Sequence, residues 1–142
     1  GVIMRPIYLL DTNIISEIYK KNPDPKVCEA VKEHISLSAI STVSWHEMLY
    51  RMKRKPEGKS KDLLSDFLMN FVSNNFEKIP YDEYAASIHS ELRASLEQRG
   101  VLIPYADFQI ACIARANNMI LITRNVKGFE KIPGLMMENW FE

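Results

Sequence analysis

The run Pro6-Ile7-Tyr8-Leu9-Leu10 is apolar without a break and ends in Asp11, which leads straight into Thr12-Asn13-Ile14-Ile15-Ser16. A strand with one wet face alternates polar and apolar residues. An unbroken apolar run fits a strand covered on both faces, as in a parallel sheet clothed by helices. Met119-Ile120-Leu121-Ile122-Thr123 repeats the pattern near the other end of the chain.

Between these runs, helical and strand-like segments alternate. A helix is expected from Thr12 to about Lys20, stopped by Asn22-Pro23. Asp24-Pro25 then opens a short helix with the stripe Val27, Ala30, Val31, His34. Ser36–Ile40 reads as a second strand. A helix from Thr42 carries Val43, Trp45, Met48, Leu49 and Met52 and ends in a basic tail before Pro56-Glu57-Gly58. Ser60 opens a helix patterned on Leu63, Leu64, Phe67, Leu68, Phe71 and Val72, and Phe76–Ile79 reads as a strand. A long helix from Tyr81 stops at Gly100, and another, with Pro104 in its first turn, runs to Ala116. Leu135–Met137 is a candidate last strand. Alternating strands and helices imply a three-layer α/β/α domain around a mainly parallel sheet of four to five strands. With 142 residues, a single domain spanning 1–142 is expected. Because Gly stands first instead of Met, residues 1–3 are read as an addition to the natural chain.

Charge sets few limits. The 18 basic and 18 acidic side chains cancel, so only their distribution can bear on a nucleic-acid partner. No apolar run approaches the roughly 20 residues of a membrane span, and Gly1–Met4 is too short for a signal-peptide core. A cytoplasmic protein is expected, with Cys28 and Cys112 as buried free thiols in a reducing compartment.

Topology gathers the polar residues of interest. In a βα unit the helix begins at the edge where the strand ends. Asp11 ends the first strand, and Glu47 falls in the second turn after the second. Asp107 lies in the first turn of the helix opened by Pro104, and Asn125 follows Thr123. All four therefore face one crevice. Each has an innocent reading: Asp11 as a helix N-cap, Glu47 as the acid of a capping box with Ser44, and Asp107 as a first-turn acid favoured by the helix dipole. Their shared edge is harder to explain that way, because crowded carboxylates repel and raise one another's pKa unless a cation lies between them. Oxygen donors without Cys or suitably spaced His favour Mg²⁺ or Mn²⁺ over zinc. Thr12, Asn13 and Thr123 are short polar groups placed to orient carboxylates or water, although ordinary turn bonding explains them equally well. His34, His46 and His89 read as partly exposed helix residues.

These residues resemble a known family. Leu9-Leu10-Asp11-Thr12-Asn13, Glu47 within Thr42–Met48, and Asp107 within Pro104–Ala111 resemble the PIN-domain ribonucleases. Thr123-Arg124-Asn125-Val126-Lys127-Gly128-Phe129, followed by Gly134-Leu135 and Glu138-Asn139-Trp140, looks like the VapC toxins of bacterial toxin–antitoxin pairs. The resemblance implies Mg²⁺- or Mn²⁺-dependent cleavage of structured RNA, with tRNA foremost, inhibition by a VapB-type antitoxin, and dimer formation. It gives Asp11, Glu47 and Asp107 the metal-binding roles. One departure stands out: where the family carries a further acid, just after Thr-Arg or just before Phe, this chain has Asn125 and Gly128. Asn125 offers a carbonyl without charge, and Glu130 is the nearest substitute acid.

For RNA, Arg51 lies one helical turn beyond Glu47 on the same face and Arg54 follows, while Arg124 and Lys127 lie across the crevice. The same cations also read as an ordinary solvated face, or as a seat for an antitoxin segment. The chief alternative to a nuclease is a catalytically impaired PIN-like module that binds RNA or protein. A phosphatase or response-regulator receiver fits poorly, because Asn13 and Ser41 occupy positions where those folds need Asp.

Overall fold

The computed structural model describes residues 5–142, so the reading of residues 1–3 as an addition, and that of Gly1–Met4 as no signal peptide, lie outside the described residues. Five strands, β1 (Tyr8–Leu10), β2 (Ser38–Ser41), β3 (Glu77–Ile79), β4 (Ile120–Ile122) and β5 (Met136–Glu138), form one sheet. Their order is β3-β2-β1-β4-β5, and every pairing is parallel. Leu10 sits between Ile40 on one side and Ile122 on the other. This central position accounts for the unbroken apolar runs of β1 and β4.

The helices are α1 (Thr12–Tyr19), α2 (Pro25–His34), α3 (Thr42–Lys53), α4 (Lys59–Asp66), the single turn α5 (Ser73–Asn75), α6 (Glu83–Gln98), α7 (Tyr105–Ala116) and α8 (Val126–Phe129). Successive strand residues supply the two opposite faces of the sheet. Leu9, Ala39 and Leu121 pack with α6 and α7, while Leu10, Ile40 and Ile122 pack with Ile14, Ile15, Val27, Val31, Leu64 and Leu68. Leu9 and Leu10 are wholly buried, and truncating either to Ala costs about 2–5 kcal/mol.

Connections from β1 lead to β2 and β3 on one side, whereas β4 and β5 lie on the other. The junction of β1 with β4 is therefore a topological switch point. A crevice opens there beyond the strand C-termini.

Several boundaries differ from those expected. β2 begins at Ser38 because Ile35–Leu37 form a 3₁₀ turn, with the Ser38 hydroxyl donating to the His34 carbonyl at 2.8 Å. α4 does not continue as a plain α-helix: Phe67–Val72 winds as a π-helix before α5. The buried residues Leu64, Leu68 and Val72 recur every fourth position. On an α-helix that spacing overshoots a full turn by about 40° per step. The wider i→i+5 turn offsets the drift and keeps all three on the sheet side. Pro104 occupies the N-cap position of α7, outside its first turn, and α8 was not expected. His89 is buried, with its Nδ1 at 2.8 Å from the Tyr81 hydroxyl, and Cys28 is only half-buried. Both depart from the sequence reading. Among the described residues, no helix is long and apolar enough to cross a membrane.

Candidate active site

Asp11 follows β1 directly. Its backbone N–H donates to the Ile122 carbonyl at 2.9 Å, so the parallel ladder carries it to the mouth of the switch point. Its side chain is 5% exposed. Oδ1 accepts from the Thr12 backbone N–H at 2.8 Å. Oδ2 accepts from the Thr123 hydroxyl at 2.8 Å and from the Asn13 amide at 3.2 Å. Thr123 directly follows β4, so its bond to Asp11 spans the switch point. The Thr123 hydroxyl oxygen also accepts the Asn125 N–H at 3.0 Å, and the Asn13 side-chain Oδ1 accepts the Arg124 N–H at 3.3 Å. Asn13 and Thr123 thus orient the carboxylate. Thr12 contributes its backbone N–H there, while its hydroxyl donates away from the crevice, to Ser44 at 2.9 Å.

A cleft of about 440 Å³ opens in front of Asp11, lined also by Glu47, Asp107 and Asn125 and walled by Arg51 and Arg124. The four polar positions placed at one edge by topology therefore do share one cleft. Glu47 is half-buried in the second turn of α3. The cap of that helix is Ser41, whose hydroxyl accepts the Ser44 N–H at 2.9 Å, so Glu47 has no part in a capping box with Ser44. Asp107 is half-buried in the first turn of α7, where it can also favour the helix dipole. Asn125 is exposed and caps α8 through its side-chain oxygen, which accepts the Gly128 N–H at 3.2 Å. A side chain at position 128 would collide with the Asn125 carboxamide, so positions 125 and 128 are sterically coupled.

Burial pushes the Asp11 carboxyl up from its ordinary 3.8 to about 6. Hydrogen bonds from Thr123 and Thr12 pull it down, and the charges of Asp107 and Glu47 add to the rise. Burial also raises Asp107. Among the described residues, none of the three carboxylates has a salt-bridge partner, and no three His, Cys, Asp or Glu side chains form a ready-made metal-binding group. The acids share a cleft without closing on a common point. A hard divalent cation is the ligand that an all-oxygen, acid-rich donor set of this kind suits.

The basic residues divide. Arg51 lines the cleft and donates from Nη1 to the Ser16 hydroxyl at 2.8 Å, and Arg124 lies over the Phe141 ring at 4.5 Å. Arg54 lines an adjoining groove of about 270 Å³ with Arg51 and Lys55. Lys127 is exposed on α8 outside the cleft lining, and Glu130 is likewise outside it. Sequence reasoning missed Glu17, Lys20 and Phe141, which do line the cleft. Glu17 accepts from Lys20 Nζ at 2.8 Å and from the Asp24 N–H at 2.9 Å, and these bonds hold its carboxyl below the usual range. The i,i+3 spacing of Glu17, on α1, and Lys20, its C-cap, is the available signal. Phe141 had none, because only the path of the chain after β5 brings it here.

Residues 8–135 match the PIN domain. Ribonuclease VapC2 of Rickettsia felis is 36% identical over 139 residues, covering 94% of this chain and 98% of the relative. The tRNA(fMet)-specific endonuclease VapC of Salmonella typhimurium is 28% identical over 137 residues, covering 94% and 97%. The crystal structure of VapBC2 from Rickettsia felis bound to a DNA fragment from their promoter superposes with a TM-score of 0.79 at 29% identity, covering 96% of this chain and 99% of that one. An all-parallel sheet clothed by helices, acids at its switch point and this breadth of similarity agree: the chain belongs to the PIN-domain family, among its VapC ribonuclease toxins.

Proposed function

We propose that this chain is a divalent-metal-dependent endoribonuclease that cuts structured RNA, with tRNA as its substrate class, in the cytoplasm. The observation that carries the reading is Asp11: a nearly buried carboxyl, fixed by Thr12, Asn13 and Thr123, facing a cleft that also holds Glu47 and Asp107. These three carboxylates are the proposed holders of Mg²⁺ or Mn²⁺. A cation held there activates water and offsets charge developing on the phosphodiester. A carboxylate offers about four lone-pair sites, and three donors already engage Asp11, so its orientation is set while one site stays free. Arg51 and Arg124, which line the same cleft, supply positive charge to the phosphates. Asn125 caps α8 at the cleft rim and offers an amide where the resemblance implies an acid. The tRNA assignment follows the Salmonella typhimurium relative named for tRNA(fMet).

A VapB-type antitoxin is the proposed inhibitor. A second groove of about 550 Å³ between α1, α2 and the α4–π segment is lined by Ile18, Val31, Ile35, Leu63, Phe67 and Phe71. Of the apolar residues on α1, Ile14 and Ile15 belong to the core, while Ile18 faces this groove. Its apolar lining suits the nonpolar face of an antitoxin helix, and solved relatives include VapBC pairs. Homodimer formation is proposed with it.

The test is cleavage of mixed tRNA and single-stranded RNA by antitoxin-free protein in Mg²⁺ or Mn²⁺, beside EDTA and Asp11→Ala controls. Cleavage lost in both controls is expected. A folded protein that cuts neither RNA with either metal would instead be an impaired binding module.

A further inference from the structure

We infer that Arg124 and Phe141 form a stacking site for one unpaired nucleobase of the RNA, at the rim of the cleft beside the carboxylates. The inference rests on the ribonuclease reading and adds a recognition element to it.

The guanidinium of Arg124 lies over the Phe141 ring with Cζ 4.5 Å from the centroid, and both residues line the cleft that contains Asp11, Glu47 and Asp107. The backbone that carries the ring is anchored. Trp140 is buried against Tyr8 and His34, with centroids 5.4 Å from each. The Trp140 indole N–H donates to Glu138 Oε1 at 3.2 Å, and the Phe141 N–H donates to the Asn139 side-chain oxygen at 2.9 Å. The segment after β5 is thus anchored by one aromatic residue and presents the next, only partly buried, to the cleft.

Arg124 is fixed at its backbone by the Asn13 side chain and is exposed. Among the described residues, its guanidinium has no hydrogen-bond or carboxylate partner at contact distance, so ion pairing does not occupy its donors. A flat cation backed by an aromatic ring offers its remaining face and its in-plane donors to a ligand. Single-stranded RNA is recognised by bases splayed onto aromatic rings and guanidinium planes. A peptide carboxylate would require Arg charge but no aromatic backing. A nucleobase uses both.

The test measures binding in EDTA, so that cleavage does not interfere. Short single-stranded RNAs carry 2-aminopurine, or an abasic residue, at successive positions around the site where wild-type protein cuts the same RNA in Mn²⁺. The variants are Arg124→Lys, which keeps the charge, and Phe141→Leu, which keeps apolar volume. Wild type is expected to quench 2-aminopurine at one position and to lose affinity at least about fivefold when that base is absent. Both variants should lose the quenching and bind intact RNA as weakly as wild type binds the abasic strand, while abasic RNA binds all three proteins equally. Quenching retained in both variants, or equal losses on intact and abasic RNA, would overturn the stacking site while leaving the nuclease reading intact. Wild type that neither binds nor cuts RNA would overturn both.

Discussion

At the scale of single residues, Asp11 carries the tension of the site. Its carboxyl is pushed from 3.8 to about 6 mainly by burial, so the folded protein binds more protons than the unfolded chain between about pH 4 and 6. Without metal, stability therefore declines as pH rises through that window, and the penalty is complete above about pH 6. A shift of this size corresponds to about 3 kcal/mol. Asp11→Asn removes the titrating charge, so in chelator the variant should exceed wild type in stability at pH 7 and lose that advantage at pH 4, as urea melts at the two pH values would read. A variant less stable than wild type at pH 7 would mean that the cap and the hydrogen bonds Asp11 accepts outweigh the cost of its buried charge. Asn125→Asp keeps an acceptor for the Gly128 N–H and adds charge to the cleft rim, so it should raise Mn²⁺ affinity by about tenfold in calorimetry. Gly128→Asp should help less, since its side chain displaces the Asn125 carboxamide. The acids at 11, 47 and 107 could be gathered from sequence because each follows a strand end or lies in the first two turns of a helix. The coupling of Asn125 with Gly128 was hidden, because it depends on the turn of α8.

At the scale of elements, a buried hydroxyl chain joins the helix that follows Asp11 to the helix that carries Glu47. The Thr12 hydroxyl donates to Ser44 at 2.9 Å, and the Ser41 hydroxyl lies 3.3 Å from the same oxygen while capping α3. Ser41 and Ser44 are fully buried. Ser44→Ala leaves the Thr12 hydroxyl without its acceptor and should cost about 1–3 kcal/mol of stability. Because the bond bridges α1 and α3, it should also weaken Mn²⁺ binding. Thr12→Val with Ser44→Ala should recover part of the stability, read as coupling in a double-mutant cycle. Fully additive losses would contradict a direct α1–α3 link. The order of strands and helices was legible because burial on both faces leaves unbroken apolar runs and because Pro and Gly punctuate the helices. The π-helical turn at Phe67–Val72 was not: the same apolar spacing reads as an ordinary helix until the burial of Leu68 and Val72 shows which face must stay aligned.

At the scale of the whole molecule, the sheet order makes the site. The strand sequence reverses beside β1, which brings Thr123 at the end of β4 against Asp11 at the end of β1. Helices α3 and α7 then deliver Glu47 and Asp107 to the same opening. On the proposed reading these carboxylates bind a divalent cation together. The most direct measurement is thermal unfolding at pH 7 across an Mn²⁺ titration, for wild type and Asp11→Asn. A cation that binds only the folded state adds about 2.7 kcal/mol at a hundred times its dissociation constant. Wild-type Tm should therefore climb by on the order of 5–10 °C, while Asp11→Asn stays nearly flat. Equal rises in both proteins, or no rise in wild type, would contradict a cation held at the end of β1.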